Sequence, residues 1–143
     1  MKIIEMVYEN LEEVIVLGAQ LGYPLTLSEI QKRFAVISKS PSHKLFVAEY
    51  AGCVVGWIQV NKESASLLSD PRAEVSALVV DEKHRGKGIG RKLLQRAEEW
   101  ATENQLFLVR LRSNTVRVEA HDFYQKQGYS IKKSWHLFTK DLS

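Results

Sequence analysis

Glycines at alternate positions mark the segment of this 143-residue chain whose residue types are best suited to chemistry. The segment reads Arg85-Gly86-Lys87-Gly88-Ile89-Gly90, directly after the acidic turn that ends an apolar run at residues 77–80, and helical spacing follows it. Backbone N–H groups in such a run are not covered by side chains, and a helix start places them at the positive end of the helix dipole. That arrangement binds phosphate-type anions. Because Arg85 and Lys87 add positive charge there, the segment predicts an anion-binding loop.

The spacing of the glycines separates this loop from better-known phosphate motifs. A P-loop needs Gly, four residues and then Gly-Lys-Ser/Thr, and the chain has neither that spacing nor the hydroxyl residue. A dinucleotide fingerprint started at Gly88 would need its third glycine at Leu93. The motif that fits is Arg/Gln-x-x-Gly-x-Gly/Ala, with Arg85, Gly88 and Gly90. Nucleic-acid binding by residues 84–92 is a weaker alternative, since no aromatic platform accompanies the basic residues.

A second motif lies downstream, where residues 123–129 contain Tyr-x-x-x-Gly-Tyr from Tyr124 to Tyr129. With the two motifs in this order, the chain resembles the GNAT superfamily of acyl-CoA-dependent N-acyltransferases over nearly its whole length. Asn114 and Ala120 fill two further positions of the family's second motif. Asn114 lies ten residues before Tyr124, which is a few more than the commonest spacing in the family.

The resemblance implies a site for acetyl-CoA. Its pyrophosphate would be held by the glycine loop, and its pantetheine arm would pair with backbone groups at the end of the preceding strand, beside a bulge. The cofactor-binding residues implied in this way are Leu78, Val79, Val80, Arg85, Gly86, Lys87, Gly88, Ile89, Gly90, Arg91, Asn114 and Tyr124.

Acetyl transfer from a thioester to an amine sets two requirements for proton transfer. The amine must lose a proton before attack, because a free alkylammonium has a pKa of about 10, and the leaving thiolate is helped by a nearby acid. By resemblance Tyr124 is the candidate general acid. Glu74 is the candidate base, acting directly or through a water, or else it binds the amine. His121, one helical turn before Tyr124, is a second candidate base.

Each of these residues also has an ordinary structural interpretation. Tyr124 could simply pack at the end of an amphipathic helix, and Glu74 could lie on the solvated face of a strand. The single cysteine, Cys53, is expected to be buried in a strand and unreactive. Direct attack by the amine needs no protein nucleophile. No cluster with metal-ligand spacing occurs in the sequence, so no metal is expected.

The elements that must position these residues follow from hydrophobic periodicity and turn signals. The sequence predicts a single α/β domain over residues 1–143, with a mixed and splayed central sheet, in the order β-α-α-β-β-β-α-β-α-β-β that the resemblance implies. Strands are expected at 2–8, 45–50, 54–60, 72–80 and 107–112, followed by two closing strands. Helices are expected at 11–21, from a cap at Thr26 or Ser28 to about 37, from the glycine loop to about 103, and at about 116–127. Residues 61–71 are expected to form a loop.

Composition excludes several classes of protein. A hydrophobic fraction of 45% and a charged fraction of 26% are typical of a soluble globular protein. The formal net charge of +3 suits a polyanionic cofactor but is too small to indicate a nucleic-acid partner. No signal sequence or membrane-spanning run is recognisable, so we expect a cytoplasmic protein that is a monomer or a homodimer.

The function predicted from these observations is N-acetylation of a primary amine by acetyl-CoA in a ternary complex. A small-molecule acceptor is favoured because the chain carries no extra element for binding a peptide. Acetylation of protein N-termini or lysines remains an alternative, as does a module that binds acyl-CoA without turnover.

Overall fold

The computed structural model describes residues 1–113, 115 and 117–143. Its strands and helices, in chain order, are β1 (Lys2–Glu5), α1 (Leu11–Gln20), α2 (Leu27–Ile37), β2 (His43–Tyr50), β3 (Cys53–Glu63), β4 (Arg72–Val80), α3 (Ile89–Glu103), β5 (Val109–Leu111) and α4 (Val118–Lys126). Short 3-10 turns at Tyr8–Asn10 and Glu82–His84 precede α1 and the glycine loop. The chain forms two compact units, Met1–Leu111 and Arg112–Ser143.

The first unit is a five-stranded sheet whose spatial order, β1-β2-β3-β4-β5, is the order of the chain. Neighbouring strands are antiparallel except β4 and β5, which are parallel. A parallel pair needs a crossover connection, and α3 supplies it. The structure therefore has the mixed sheet and the α/β class that the sequence predicted.

Helices cover both faces of the sheet. Val47 of β2 packs with Val14 and Leu17 of α1 in one buried cluster. The preceding residue, Phe46, lies under the Arg96 guanidinium of α3, whose Cζ is 4.6 Å from the ring centroid. Because successive side chains of a strand point to opposite faces, α1 and α3 lie on opposite sides of the sheet.

Local sequence signals correctly predicted the N-cap of α2 and the turn between β2 and β3. Thr26 caps α2, and its Oγ1 accepts a hydrogen bond from the Glu29 N–H at 3.2 Å. Ala51 and Gly52, with φ of 51° and 81°, join β2 to β3, and two left-handed residues are what the commonest two-residue hairpin turn requires. The expectation that Cys53 is buried is wrong, because it follows this turn directly and its side chain is exposed.

Several elements differ from those predicted. β1 ends at Glu5 and not at residue 8. β3 continues to Glu63, so residues 61–63 belong to a strand and not to the expected loop, and they pair with residues 72–74. β5 is limited to three residues, and the side chains of Phe107 and Leu108 before it are exposed. Residues 127–143 contain no strand in the structure, although the sequence placed the two closing strands there. The apolar side chains of this stretch are not buried against a sheet. Exposed examples are Ile131, Leu137 and Phe138.

Candidate active site

The loop between β4 and α3 has the backbone conformation that its glycines permit. Gly86 and Gly88 both have a φ of 79°, and Gly88 is the N-cap residue of α3. Residues with a Cβ rarely adopt this left-handed conformation. The first N–H groups of a helix have no acceptor within the helix, and here no side chain at Gly88 stands in front of them. The loop is therefore suited to hold an anion.

Cationic side chains surround this helix start. Arg85 and Lys87 are exposed. The Arg91 guanidinium lies beside Gly88, since a Cβ added to that glycine would be 3.6 Å from its Nη2. Ile89, in contrast, is 3% exposed, so its backbone is available to a ligand but its side chain belongs to the core. The structure thus places three cationic side chains at the start of α3, at the loop predicted to bind an anion.

The 3-10 turn before the glycines is tied to α1. The Asp81 carboxylate accepts hydrogen bonds from the Lys83 N–H at 3.2 Å and from Gln20 Nε2 at 3.2 Å, and His84 Nδ1 lies 3.3 Å from its other oxygen. The Lys83 hydrogen bond is the main cause of the lowered pKa of Asp81. Gln20 Oε1 also accepts from the Glu82 N–H at 3.0 Å. Sequence reasoning missed Gln20, which is separated from the loop by about 60 residues of chain.

The strand that leads into the loop carries a bulge and an open edge. Gln59 pairs with Ala77 whereas Val60 pairs with Val75, so Ser76 is the extra residue of β4. On the other side of β4, β5 pairs only with Ala73–Val75. In the part of the chain that the structure describes, no strand pairs with this edge at residues 76–80. The backbone of Leu78, Val79 and Val80 can therefore accept an extended ligand as an additional strand.

Glu74 lies in a cluster of charged groups at the other end of β4. It is 8% exposed, and in the sheet it lies between Asn61 of β3 and Arg110 of β5. Arg110 Nη2 donates to Glu74 Oε2 at 3.1 Å and to Glu63 Oε2 at 3.0 Å. Arg72 Nη2 lies 3.7 Å from the same oxygen of Glu63. The predicted candidate base is thus accompanied by a second carboxylate, Glu63, which the sequence analysis had assigned to a loop.

The two carboxyl groups influence each other. A hydrogen bond with Glu74 is the main cause of the raised pKa of Glu63, and partial burial and repulsion by the Glu74 charge act in the same direction. Arg110 and Arg72 act in the opposite direction. Glu74 and Val80 are six residues apart on β4, about 20 Å at the usual rise of a strand. An extended arm that runs from the loop along the open edge would therefore point toward this carboxylate pair.

Tyr124 lies on α4 in the unit Arg112–Ser143. Burial raises the pKa of its phenol above the usual value of 10.0, and the nearby Arg117 charge opposes this rise. The rings of Phe123 and Tyr129 contact it at centroid distances of 5.2 and 6.2 Å with tilted, edge-on geometry. The phenol therefore stays protonated at neutral pH, as a proton donor must.

The Tyr-x-x-x-Gly-Tyr spacing has a local structural reason. Gly128 has a φ of 93° and follows the last turn of α4. Its N–H donates to the Gln125 carbonyl at 3.1 Å, and the Tyr129 N–H donates to the Tyr124 carbonyl at 3.0 Å. This pair of hydrogen bonds is a Schellman motif. Gly128 and Tyr129 thus fix the helix end that carries Tyr124.

The other candidate residues are placed as follows. Asn114 lies outside the described residues. His121 lies on α4, three residues before Tyr124, and is partly buried. Among the described residues, no group of three or more histidine, cysteine, aspartate or glutamate side chains is arranged to hold a metal ion. No described helix has the length and apolar character needed to cross a membrane.

Comparisons with known proteins identify the family of the chain. The family model described as the acetyltransferase (GNAT) family matches residues 11–129. The aminoalkylphosphonate N-acetyltransferase of Salmonella typhimurium is 36% identical over 109 residues, which cover 76% of this chain and 70% of that protein. The streptothricin acetyltransferase of Escherichia coli is 35% identical over 78 residues, which cover 54% of this chain and only 42% of that protein.

A solved structure shares the fold. It is AAC(6')-Iy in complex with the bisubstrate analogue CoA-S-monomethyl-acetylneamine, with a TM-score of 0.88. The two sequences are 16% identical, and the match covers 98% of this chain and 97% of that one.

Proposed function

Because the chain belongs to the acetyltransferase (GNAT) family, as its two motifs predicted, we propose that it transfers an acetyl group from acetyl-CoA to a primary amine of a small molecule. The observation that carries this proposal is the continuity of the glycine loop with the open edge of β4. The glycine loop suits a pyrophosphate, and the open edge of β4 suits an extended arm that carries amide groups.

In this proposal the N–H groups of residues 86–91 hold the pyrophosphate, and Arg85, Lys87 and Arg91 supply neutralising charge. Backbone groups of Leu78, Val79 and Val80 pair with the pantetheine arm. The presence of a CoA analogue in a protein of the same fold supports acetyl-CoA as the acetyl donor.

The reaction needs no covalent enzyme intermediate. The amine nitrogen attacks the thioester carbonyl carbon, the new C–N bond forms, and the C–S bond breaks. Before the attack Glu74 takes one proton of the ammonium group, directly or through a water. As the C–S bond breaks, Tyr124 gives its phenolic proton to the leaving sulfur, and the second proton lost by the nitrogen restores the phenol. The raised pKa of Tyr124 keeps that proton available.

The acceptor is proposed to be a small molecule because the two named relatives are acetyltransferases of streptothricin and of aminoalkylphosphonates. The test is a panel of amines assayed by release of free CoA thiol from acetyl-CoA. The panel contains aminoalkylphosphonates, aminoglycosides, polyamines, amino acids and peptides with free N-termini or lysines.

We expect turnover with at least one small-molecule amine. Turnover with the peptides alone would indicate a protein acetyltransferase instead. Acetyl-CoA binding by calorimetry with no turnover on any amine would indicate a binding module, and failure to bind acetyl-CoA would overturn the proposal entirely.

A further inference from the structure

Two carboxylates of neighbouring strands share a single guanidinium nitrogen. Arg110 Nη2 lies 3.0 Å from Glu63 Oε2 and 3.1 Å from Glu74 Oε2. The Glu74 side chain is 11% exposed and that of Glu63 is 38% exposed. Glu74 is therefore the more buried member of the pair, and Glu63 the more exposed.

The charges around Glu74 come from four strands. β3 contributes Glu63, β4 contributes Arg72, and β5 contributes Arg110. His43 of β2 pairs with Asn61, which pairs with Glu74, so this histidine lies two strand spacings away, at about 10 Å. Its Nδ1 is within 2.8 Å of Ser40 Oγ. Lys62 points to the opposite face of the sheet because residues of a strand alternate.

An arginine beside a carboxylate makes that carboxylate a poorer base, because it stabilises the ionised form. A second carboxylate on the same guanidinium has the opposite effect, since two like charges favour uptake of a proton by the pair. The pKa of Glu63 is raised mainly by its hydrogen bond with Glu74, so a proton taken up by the pair is held between the two carboxyl groups. In this cluster Arg110 therefore lowers the basicity of Glu74, and the neighbouring Glu63 carboxylate acts in the opposite direction.

We infer that Glu63 is a positioning residue of the acetyl transfer: by sharing Arg110 with Glu74, it keeps the Glu74 carboxylate able to accept the proton of the acceptor amine. The inference rests on the proposed function, in which Glu74 is the base. Glu63 acts through Glu74 and does not itself need to contact the acceptor.

The test variant is Glu63→Gln, which removes the charge and retains an oxygen for Arg110. The acid limb of the pH profile of kcat/KM should move to lower pH by about one unit, because Glu74 then faces Arg110 without a competing carboxylate. The plateau of kcat should fall severalfold because a weaker base accepts the proton less readily. Glu103→Gln, which changes an exposed glutamate that pairs with Arg96 on α3, is the control and should leave the profile unchanged.

A second measurement does not depend on turnover. Carboxyl carbon NMR of the protein without substrates follows the titration of Glu74 directly, and the Glu74→Gln spectrum assigns its signal. In Glu63→Gln the Glu74 midpoint should also fall by about one unit. If Glu63→Gln does not fold, the Glu74 titration midpoint is measured in Glu63→Ala, which also removes the charge.

The outcomes separate the two proposals. A Glu74 midpoint and an acid limb that do not move in the Glu63 variants would overturn this inference while leaving the acetyltransferase function intact. Absence of acetyl transfer by the wild-type protein would overturn the proposed function, whatever the NMR titration shows.

Discussion

Replacement of Gly56 by alanine is expected to disturb the proposed acetyl-CoA site by displacing α3, which packs against this glycine. Gly56 is a buried residue of β3 that pairs with Val80 of β4. A Cβ at this position would lie 2.9 Å from the Val79 carbonyl oxygen, 3.1 Å from Leu93 Cδ1 and 3.2 Å from Ile89 Cγ2. The first of these atoms belongs to backbone, so it cannot move aside by a change of rotamer.

The size of the effect follows from two opposing contributions. Adding a methyl group to a tightly packed core costs about 1–3 kcal/mol. Loss of glycine flexibility from the unfolded chain returns at most about 1 kcal/mol. Because the 2.9 Å contact is to a backbone atom, the packing cost should be near the top of its range, and the free energy of unfolding should fall by about 2 kcal/mol. Ile89 belongs to the first turn of α3, so the N–H groups proposed to hold the anion should shift with it, and acetyl-CoA affinity should also fall.

Urea unfolding and calorimetry with acetyl-CoA measure the two effects. Gly18→Ala is the matched control, because Gly18 is a buried glycine of α1 and its added Cβ would be 3.6 Å from the Tyr23 carbonyl oxygen, an ordinary contact. That variant should gain up to about 1 kcal/mol in stability and keep its affinity. Wild-type stability and wild-type affinity in Gly56→Ala would refute the conclusion that α3 is seated on this glycine.

The remaining predictions concern the loop and the two catalytic candidates. Gly88→Val should abolish acetyl-CoA binding in calorimetry. Gly22→Val imposes similar left-handed strain (φ 92°) outside the glycine segment and should retain binding. Unchanged affinity in folded Gly88→Val would contradict the loop's role. Tyr124→Phe should lower kcat by about 10²- to 10⁴-fold with acetyl-CoA affinity nearly unchanged, and an undiminished kcat with chemistry rate-limiting would leave Tyr124 a packing residue. Glu74→Gln should lose most activity at low pH, where unassisted deprotonation of the amine is rarest. A raised KM with kcat spared would make Glu74 an amine-binding residue, and a wild-type profile would remove it from the site.

The parts of the site encoded by local sequence were predictable. The change from strand to helical spacing and the alternating glycines located the loop, and the bounds predicted for β4 and for the end of α3 agree with the structure. The Tyr-x-x-x-Gly-Tyr motif was also locally readable, because a Schellman motif involves only residues near the helix end.

The parts that depend on distant pairing were not predictable. Glu63 reads as a loop residue in a polar stretch, and its role is apparent only from Arg110, 47 residues away in the chain. The bulge at Ser76 is set by register with β3, and the need for glycine at position 56 is set by the Val79 backbone of β4 together with α3. In each case the determining partner lies on another element, so a pattern along one segment carries no signal for it.

Because β5 is paired only over a short length, the contacts of Arg110 with Glu63 and Glu74 are expected to break whenever this strand opens. This strand is joined to β4 at three register positions, whereas β3 is paired along both of its edges. Local opening is easiest where few hydrogen bonds must break together, so we expect the amides of β5 to exchange with deuterated solvent sooner than those of β3. Because Arg110 lies on β5, each opening removes the Arg110 charge from Glu63 and Glu74 together and leaves Arg72 of β4, 3.7 Å from Glu63, as the remaining cation beside the pair. The rate of fraying at this strand therefore sets how often Glu74 is left without its arginine partner.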